Sequence, residues 1–341
     1  MKGSQSHVTT DVVIIGAGPV GLFSIFECGM MKLNVHVIDT LAEVGGQCIA
    51  LYPEKPIYDI PAHPKILAAD LIHNLKEQAD PFGPTYHLDQ QVVSVKKTSS
   101  GWQVKTSKSL VIDCKVIIIA AGAGAFGPNR PPLEGIEKYE NKGVFYFVKN
   151  KELFRNKKLV IAGGGDSAVD WALNLVDIAQ HITVVHRRPK FRAALDNVSK
   201  LYELAENGRL DLAIPYQLDS LSGDDTLKSV GLKTLEGEEK EIEADALLAF
   251  FGLSMNLGPL AEWGLGLDKS HITVDVGTYQ TSAPGIFAIG DVATYPHKQK
   301  LILTGFAEAA TVAYHARSIV HPGESFHFQY STTQGVPGNN Q

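Results

Sequence analysis

The chain has 341 residues, 44% of them apolar and 20% charged, the make-up of a folded protein of two or three domains rather than a disordered chain. Its 31 basic and 37 acidic side chains leave a net charge of −6, which argues against a general nucleic-acid binder. No apolar run approaches the ~18 residues of a membrane helix, residues 1–6 lack the apolar core of a signal peptide, and three cysteines (Cys28, Cys48, Cys114) cannot build a disulfide framework; a soluble cytoplasmic protein with reduced thiols is the default expectation.

Val12-Val13-Ile14-Ile15 has the pattern of a buried parallel strand. It runs into Gly16-Ala17-Gly18-Pro19-Val20-Gly21, an apolar helix to about Met31, and a second strand, Val35-His36-Val37-Ile38-Asp39. Residues 64–79 have helical apolar spacing. Residues 85–120 read as short strands, turning at Ser99-Ser100-Gly101, the last being the buried run Val116-Ile117-Ile118-Ile119-Ala120-Ala121-Gly122, which ends in glycine. A second unit begins with the strand 158–162, the turn Gly163-Gly164-Gly165-Asp166-Ser167-Ala168, a helix over 169–179 and a returning strand, 182–186. Alternating segments fill 209–250. A buried strand covers 286–291, a helix 301–320, and a polar tail follows from Pro322.

The two glycine-rich turns superimpose at an offset of 147 residues: Gly16 falls on Gly163, Gly18 on Gly165, Gly21 on Ala168, and Asp39 on His186. One G-x-G-x-x-G is a weak signal, but two, each between a strand and a helix with matched second strands, predict an α/β fold of two Rossmann-like dinucleotide-binding domains. Each turn would set a pyrophosphate on a helix N-terminus, where free N–H groups and the macrodipole favour negative charge. The second strands end differently. Asp39 can accept hydrogen bonds from a ribose diol and repels a 2′-phosphate, which suits FAD or NAD. His186-Arg187-Arg188, with Lys190 and Arg192 beyond, suits the 2′-phosphate of NADP.

These residues resemble those of the two-dinucleotide flavoprotein reductases. The segment 50–60 (Ala-Leu-Tyr-Pro-Glu-Lys-Pro-Ile-Tyr-Asp-Ile) and the run Gly-Gly-Gly-Asp-Ser-Ala-Val-Asp-Trp-Ala at 163–172 are similar to the thioredoxin-reductase-like class of ferredoxin/flavodoxin–NADP reductases, over about residues 10–334. The resemblance implies FAD and NADP as cofactors and a discontinuous FAD domain, 1–120 and 284–341, interrupted by an NADPH domain, 121–283. It implies that Val44-Gly45-Gly46-Gln47 lies along the flavin and that Asp291, closing Thr281-Ser282-Ala283-Pro284-Gly285-Ile286-Phe287-Ala288-Ile289-Gly290-Asp291, hydrogen-bonds the ribityl chain. Tyr52 would stack on one flavin face. Tyr330, with Phe326 and Phe328 as alternatives, would cover the other from the partner subunit of a homodimer. Val92 and Phe126 match adenine- and flavin-side contacts, and Thr332 or Thr333 a hydroxyl near the flavin.

The sequence departs from the disulfide reductases of this group. Where thioredoxin reductases carry Cys-x-x-Cys, residues 143–148 read Gly-Val-Phe-Tyr-Phe-Val, and Cys48 follows Gly46-Gln47 alone. The resemblance therefore implies hydride transfer from NADPH to FAD and single-electron release to ferredoxin or flavodoxin, with no metal, nucleophile or acid–base pair. The alternatives are an NADPH-dependent reductase of a small disulfide or quinone, and a flavin-bound redox sensor without turnover. Acidic acceptors call for a local basic patch, with Lys149, Lys151, Arg155, Lys157 and Lys158 as one candidate group and Lys298 with Lys300 as another.

Overall fold

The computed structural model describes residues 7–324 and 335–336, without the side chains of residues 125, 126 and 253–255. The chain divides into two compact units, one running to Phe126 and resuming at Met255, the other spanning Gly127–Ser254. The sequence reading set the divisions at 120/121 and 283/284. Leu257, Leu260, Leu265 and Ile272 share a buried cluster with Val13 and Ile15, so burial carries residues 255–283 into the first unit.

In the first unit every residue of β1 (Val12–Ile15) is buried, as a strand covered on both faces requires. Then come α1 (Pro19–Met30), β2 (Val35–Ile38), α2 (Ala68–Ala79), β3 (Thr85–His87) and β4 (Val116–Ile119). The helix expected from residue 64 starts at Ala68. Ile66–Leu67 pairs antiparallel with Pro56–Ile57, and the carbonyls of Lys55 and Pro53 accept the N–H groups of Ala68 and Ala69, which the start of a helix leaves unpaired. A side sheet joins Val92–Lys97, Trp102–Thr106 and Val111–Cys114 antiparallel.

The second unit contains β5 (Val144–Phe145), β6 (Lys158–Ala162), α3 (Asp166–Leu175), β7 (His181–Val185), α4 (Leu195–Glu206), β8 (Asp211–Ala213) and β9 (Ala246–Ala249). α3 starts three residues before the expected Val169, because the turn consumes only the three glycines. α4 was not anticipated, although Val198, Leu201, Leu204 and Ala205 set an apolar face along it; of these only Leu201 is fully buried. Back in the first unit lie β10 (Ile286–Ala288) and α5 (Ile302–Val320). The strand expected to run to Asp291 stops at Ala288, and Gly290–Val292 forms a 3₁₀ turn.

The first sheet has the order β10-β4-β1-β2-β3 and the second β5-β9-β6-β7-β8, all neighbours parallel. The 147-residue repeat extends to the strand register: Val12 opposes Val35, and Leu159 opposes Ile182. Gly16 N–H donates to Ile38 O at 2.8 Å, and Gly163 N–H to Val185 O at 3.0 Å. The fold is α/β with two Rossmann-like units. In the first, α1, α2 and α5 bury Leu22, Ile25, Leu71, Ile72, Val312 and Ala313 in one cluster with Ile14 and Ile118. Among the described residues no helix is long and apolar enough to cross a membrane.

Candidate functional site

Gly16 leaves β1 with φ +108°, a conformation that favours glycine, and an added Cβ would lie 2.3 Å from Ala120 O. Gly18 is the N-cap of α1 and provides no side-chain cap, while Pro19 opens the helix without an N–H. The first-turn N–H groups are therefore left for a ligand. Gly21 stands behind the turn: a Cβ there would meet Gly16 O at 1.9 Å, so its role is close strand–helix packing. Opposite Gly18, Gly46 has φ +56°, and an added Cβ would sit 3.0 Å from Gly18 Cα.

These turns line a cavity of the first unit. Gly16, Gly18, Asp39, Gln47, Tyr52, Val92 and Asp291, seven of the residues singled out in the sequence, are all on its wall. Asp39 Oδ2 accepts Ala17 N–H at 2.6 Å and Oδ1 accepts Leu41 N–H at 2.8 Å. Burial raises the Asp39 carboxyl above its usual range, against the backbone N–H groups of Leu41 and Ala17, which lower it. Each oxygen keeps a lone pair for a ribose hydroxyl. Leu301 and Ile302, at the start of the 19-residue α5, also line the cavity, so a helix N-terminus opens on it. Free N–H donors, glycines that keep the wall clear and a carboxylate at the end of β2 fit a dinucleotide.

Sequence reasoning missed Gln90, Gln91, Leu257, Pro259 and Trp263 on the same wall, and weighed Lys300, also there, only as a docking cation. None belongs to a local motif; Leu257, Pro259 and Trp263 come from the 3₁₀ turn Gly258–Glu262 and its two ends, the others from loops. The Phe126 side chain lies outside the described residues, as do Phe326, Phe328, Tyr330, Thr332 and Thr333.

The second unit builds its turn similarly. Gly163 has φ +155°, and an added Cβ would lie 2.7 Å from Phe250 O. Gly165 caps α3 without a side chain. The segment after β7 folds back over this turn: Arg192 N–H donates to Gly164 O at 2.6 Å, and the His186 ring stacks on Phe191 with centroids 5.0 Å apart. Arg187, Arg188 and Arg192 are exposed and have no acidic partner among the described residues. Burial first, then the cations Arg188, Arg187 and Arg192, lower the His186 imidazole, which favours its neutral form. Asp166 and Ser167 are exposed on the first turn of α3, but Asp166 Oδ1 also accepts Ala194 N–H at 2.9 Å. Asp166 thus holds the loop that carries Arg192.

Cys28, Cys48 and Cys114 are free and buried. Cys48 is the one cysteine on the cavity wall, with its thiol 4.0 Å from the Tyr52 hydroxyl. Burial pushes Cys48 up to about 11 and raises Tyr52 above the usual tyrosine range, so both hold their protons at neutral pH. Of the lysine groups weighed for docking, the Lys298 side chain is only 5% exposed and is paired with Glu308, which withdraws it from the surface. Arg155 pairs with Glu152 and Lys158 with Glu243.

Residues 10–316 match the family model described as pyridine nucleotide-disulphide oxidoreductase. The chain is 58% identical over 330 residues to a protein of Paramagnetospirillum magneticum named ferredoxin–NADP reductase, covering 96% of this chain and 98% of that one. It is 55% identical over 341 residues to the protein of the same name from Rhodospirillum rubrum, covering 98% and 99%. Among solved structures it is similar to thioredoxin reductase of T. acidophilum (TM-score 0.79, 25% identity, 91% and 98% covered) and of Lactococcus lactis (TM-score 0.78, 26% identity, 91% and 99% covered).

Proposed function

The chain belongs to the pyridine nucleotide-disulphide oxidoreductase family, and we propose that it is an FAD-dependent ferredoxin (or flavodoxin)–NADP reductase, cytoplasmic and homodimeric. The named relatives and the cavity of the first unit support this reading. FAD would lie with its pyrophosphate at the N-terminus of α1, a ribose on Asp39, its adenine end by Val92, and its flavin end by Gln47, Tyr52 and Asp291. NADP would take the glycine turn of the second unit, with its 2′-phosphate by Arg187 and Arg188. Tyr330 would cover the outer flavin face, with Phe126 and Thr332 close to the ring.

Bound FAD would supply the exchange between a two-electron hydride from NADPH and single electrons for an iron–sulfur or flavin protein. The protein orients and insulates. Tyr52 offers a ring held by packing, and its hydroxyl stays protonated. The N-terminus of α5 favours negative charge on what it faces. No residue of the cavity needs to enter a covalent bond.

The observation that carries the reading over a dithiol mechanism is that Cys48, which is buried, is the one cysteine of the cavity wall. The test is NADPH oxidation by the FAD-loaded protein with reduced flavin monitored anaerobically, followed by mixing with ferredoxin, flavodoxin, a low-molecular-weight disulfide or a quinone. Rapid reoxidation by ferredoxin or flavodoxin is expected. Turnover with the disulfide or quinone alone, or flavin that NADPH does not reduce, would displace it.

A further inference from the structure

Glu308 lies on the buried stripe of α5 and is 0% exposed. Its Oε2 accepts Gly290 N–H at 2.7 Å, and its Oε1 accepts the Tyr295 hydroxyl at 2.7 Å and the Lys298 ammonium. A buried carboxylate is tolerated only when its charge and lone pairs are met, and losing one partner of a buried pair is strongly destabilising. All three donors come from one segment, residues 290–298, which opens with the 3₁₀ turn Gly290–Val292 and the short strand Ala293–Thr294. That segment carries Asp291 and leads into Lys300, Leu301 and Ile302, all on the cavity wall. Glu308 itself does not line the cavity.

The close approach has a visible cause. Gly305 precedes Glu308 on the same face of α5, and a Cβ there would lie 2.4 Å from Val20 Cγ2 and 3.4 Å from Gly290 Cα. Without it the segment reaches the helix, and Gly290, at φ +70°, turns its N–H to Oε2. Gly290 is flexible in isolation; the Ile289 N–H on Ile119 O holds the chain before it, and Glu308 is the side chain that holds the Gly290 N–H itself. Burial, then the Glu308 carboxylate, raises the Tyr295 hydroxyl above its usual range, which keeps it a donor.

The geometry points to Glu308 as a positioning residue for the cofactor. It acts through Gly290, Tyr295 and Lys298 to fix where Asp291 and the first residues of α5 meet FAD. This rests on the reading of the first-unit cavity as the FAD site.

A double-mutant cycle on the full chain tests it. Glu308→Gln, Asp291→Ala and the double variant are stripped of FAD and titrated with it by fluorescence quenching, with near-ultraviolet circular dichroism checking that each apoprotein is folded. Glu308→Gln is expected to weaken FAD binding about tenfold, in line with loss of a hydrogen bond to a charged group, and to blur the visible flavin band. Asp291→Ala is expected to lose much less affinity in the Glu308→Gln background than in the native one, because Asp291 is already misplaced. Additive losses in folded variants overturn the proposal. If Asp291→Ala in the native background binds FAD as tightly as the unaltered protein, the FAD reading of the cavity fails and takes the proposal with it. Should Glu308→Gln not fold, Tyr295→Phe, which removes one donor and leaves the ion pair, takes its place in the cycle under the same criterion.

Discussion

Asp39 Oδ2 accepts the N–H of Ala17 at 2.6 Å, so the carboxylate that ends β2 braces the glycine turn it faces. The same pair recurs 147 residues on as Gly164 and His186, in different chemistry: a Cβ on Gly164 would lie 2.0 Å from His186 Cε1, so a ring packs on glycine where the first unit has a carboxylate on an N–H. One framework thus presents an acid at the end of its second strand, and the other an imidazole followed by exposed arginines.

Those arginines should set nucleotide choice. Neutralising Arg187 and Arg188 together is expected to lower kcat/KM for NADPH by about a hundredfold or more, since hydrogen bonds to charged groups contribute about 1.5–3 kcal/mol each. NADH kinetics should change little. Steady-state rates with both nucleotides decide; an equal loss for both would remove the 2′-phosphate assignment.

The thiols should be dispensable. Burial holds Cys48 up to about 11 and Cys114 up to about 12, and the thiolate is the nucleophile. Native protein should resist iodoacetamide at neutral pH and react at all three positions once denatured. A Cys28→Ala, Cys48→Ala, Cys114→Ala variant should still bind FAD and reduce a dye with NADPH. Abolished dye reduction in a folded, FAD-loaded triple variant would refute dithiol-free transfer.

Acid should loosen the first unit at the His36–His87 pair, whose ring nitrogens lie 3.0 Å apart. Burial lowers both imidazoles below their usual 6.5, and the His36 charge lowers His87 further. The folded chain therefore binds fewer protons than the unfolded one just below 6.5. The stability this contributes is full above 6.5 and is lost as pH falls through the lowered values. Both rings are partly solvated, which keeps the effect small. Between about pH 7 and pH 5, Tm of the native protein should fall by roughly 1–3 °C more than that of a His36→Gln/His87→Gln variant. Parallel curves would show that the pair does not titrate on unfolding.

Gly16 and Gly18 should fail in different ways. Gly16→Ala combines a φ of +108° with a 2.3 Å clash against Ala120 O, and backbone strain of this kind costs about 1–3 kcal/mol before the clash. At Gly18 the nearest atom to an added Cβ is 3.9 Å away and φ is −70°. Gly16→Ala should therefore lower apoprotein Tm, whereas Gly18→Ala should keep Tm and lose FAD affinity. Matching Tm values for the two variants would contradict the geometry.

Tyr330 is proposed to shield the flavin. Tyr330→Ser should leave FAD bound through the first-unit cavity, shift the visible flavin band and raise NADPH oxidase activity in air. An unchanged spectrum and oxygen reactivity would take Tyr330 out of the site and leave Phe326 or Phe328 to be tested.

The sequence alone determined the two frameworks, because close backbone contact leaves a local trace. Gly16 and Gly163 are glycine since a Cβ would strike Ala120 O or Phe250 O, and the buried runs around them are β-branched because both faces are covered. That Asp39 follows the second strand of one unit, and Arg187 and Arg188 that of the other, was equally readable, since the strand pattern fixes where each strand ends. Only the tertiary structure decided what depends on distant segments. It moved residues 255–283 into the first unit by burying Leu257 and Ile272 with Val13. It brought Gln91, Trp263 and Lys300 to the cavity wall. It also turned Lys298 from a surface cation into the buried partner of Glu308. The one local trace of that last pairing was an acid on the apolar stripe that Gly305, Ala309, Val312 and Ala316 form along α5; which segment would answer its charge is a matter of approach in space, and no spacing along the chain encodes it.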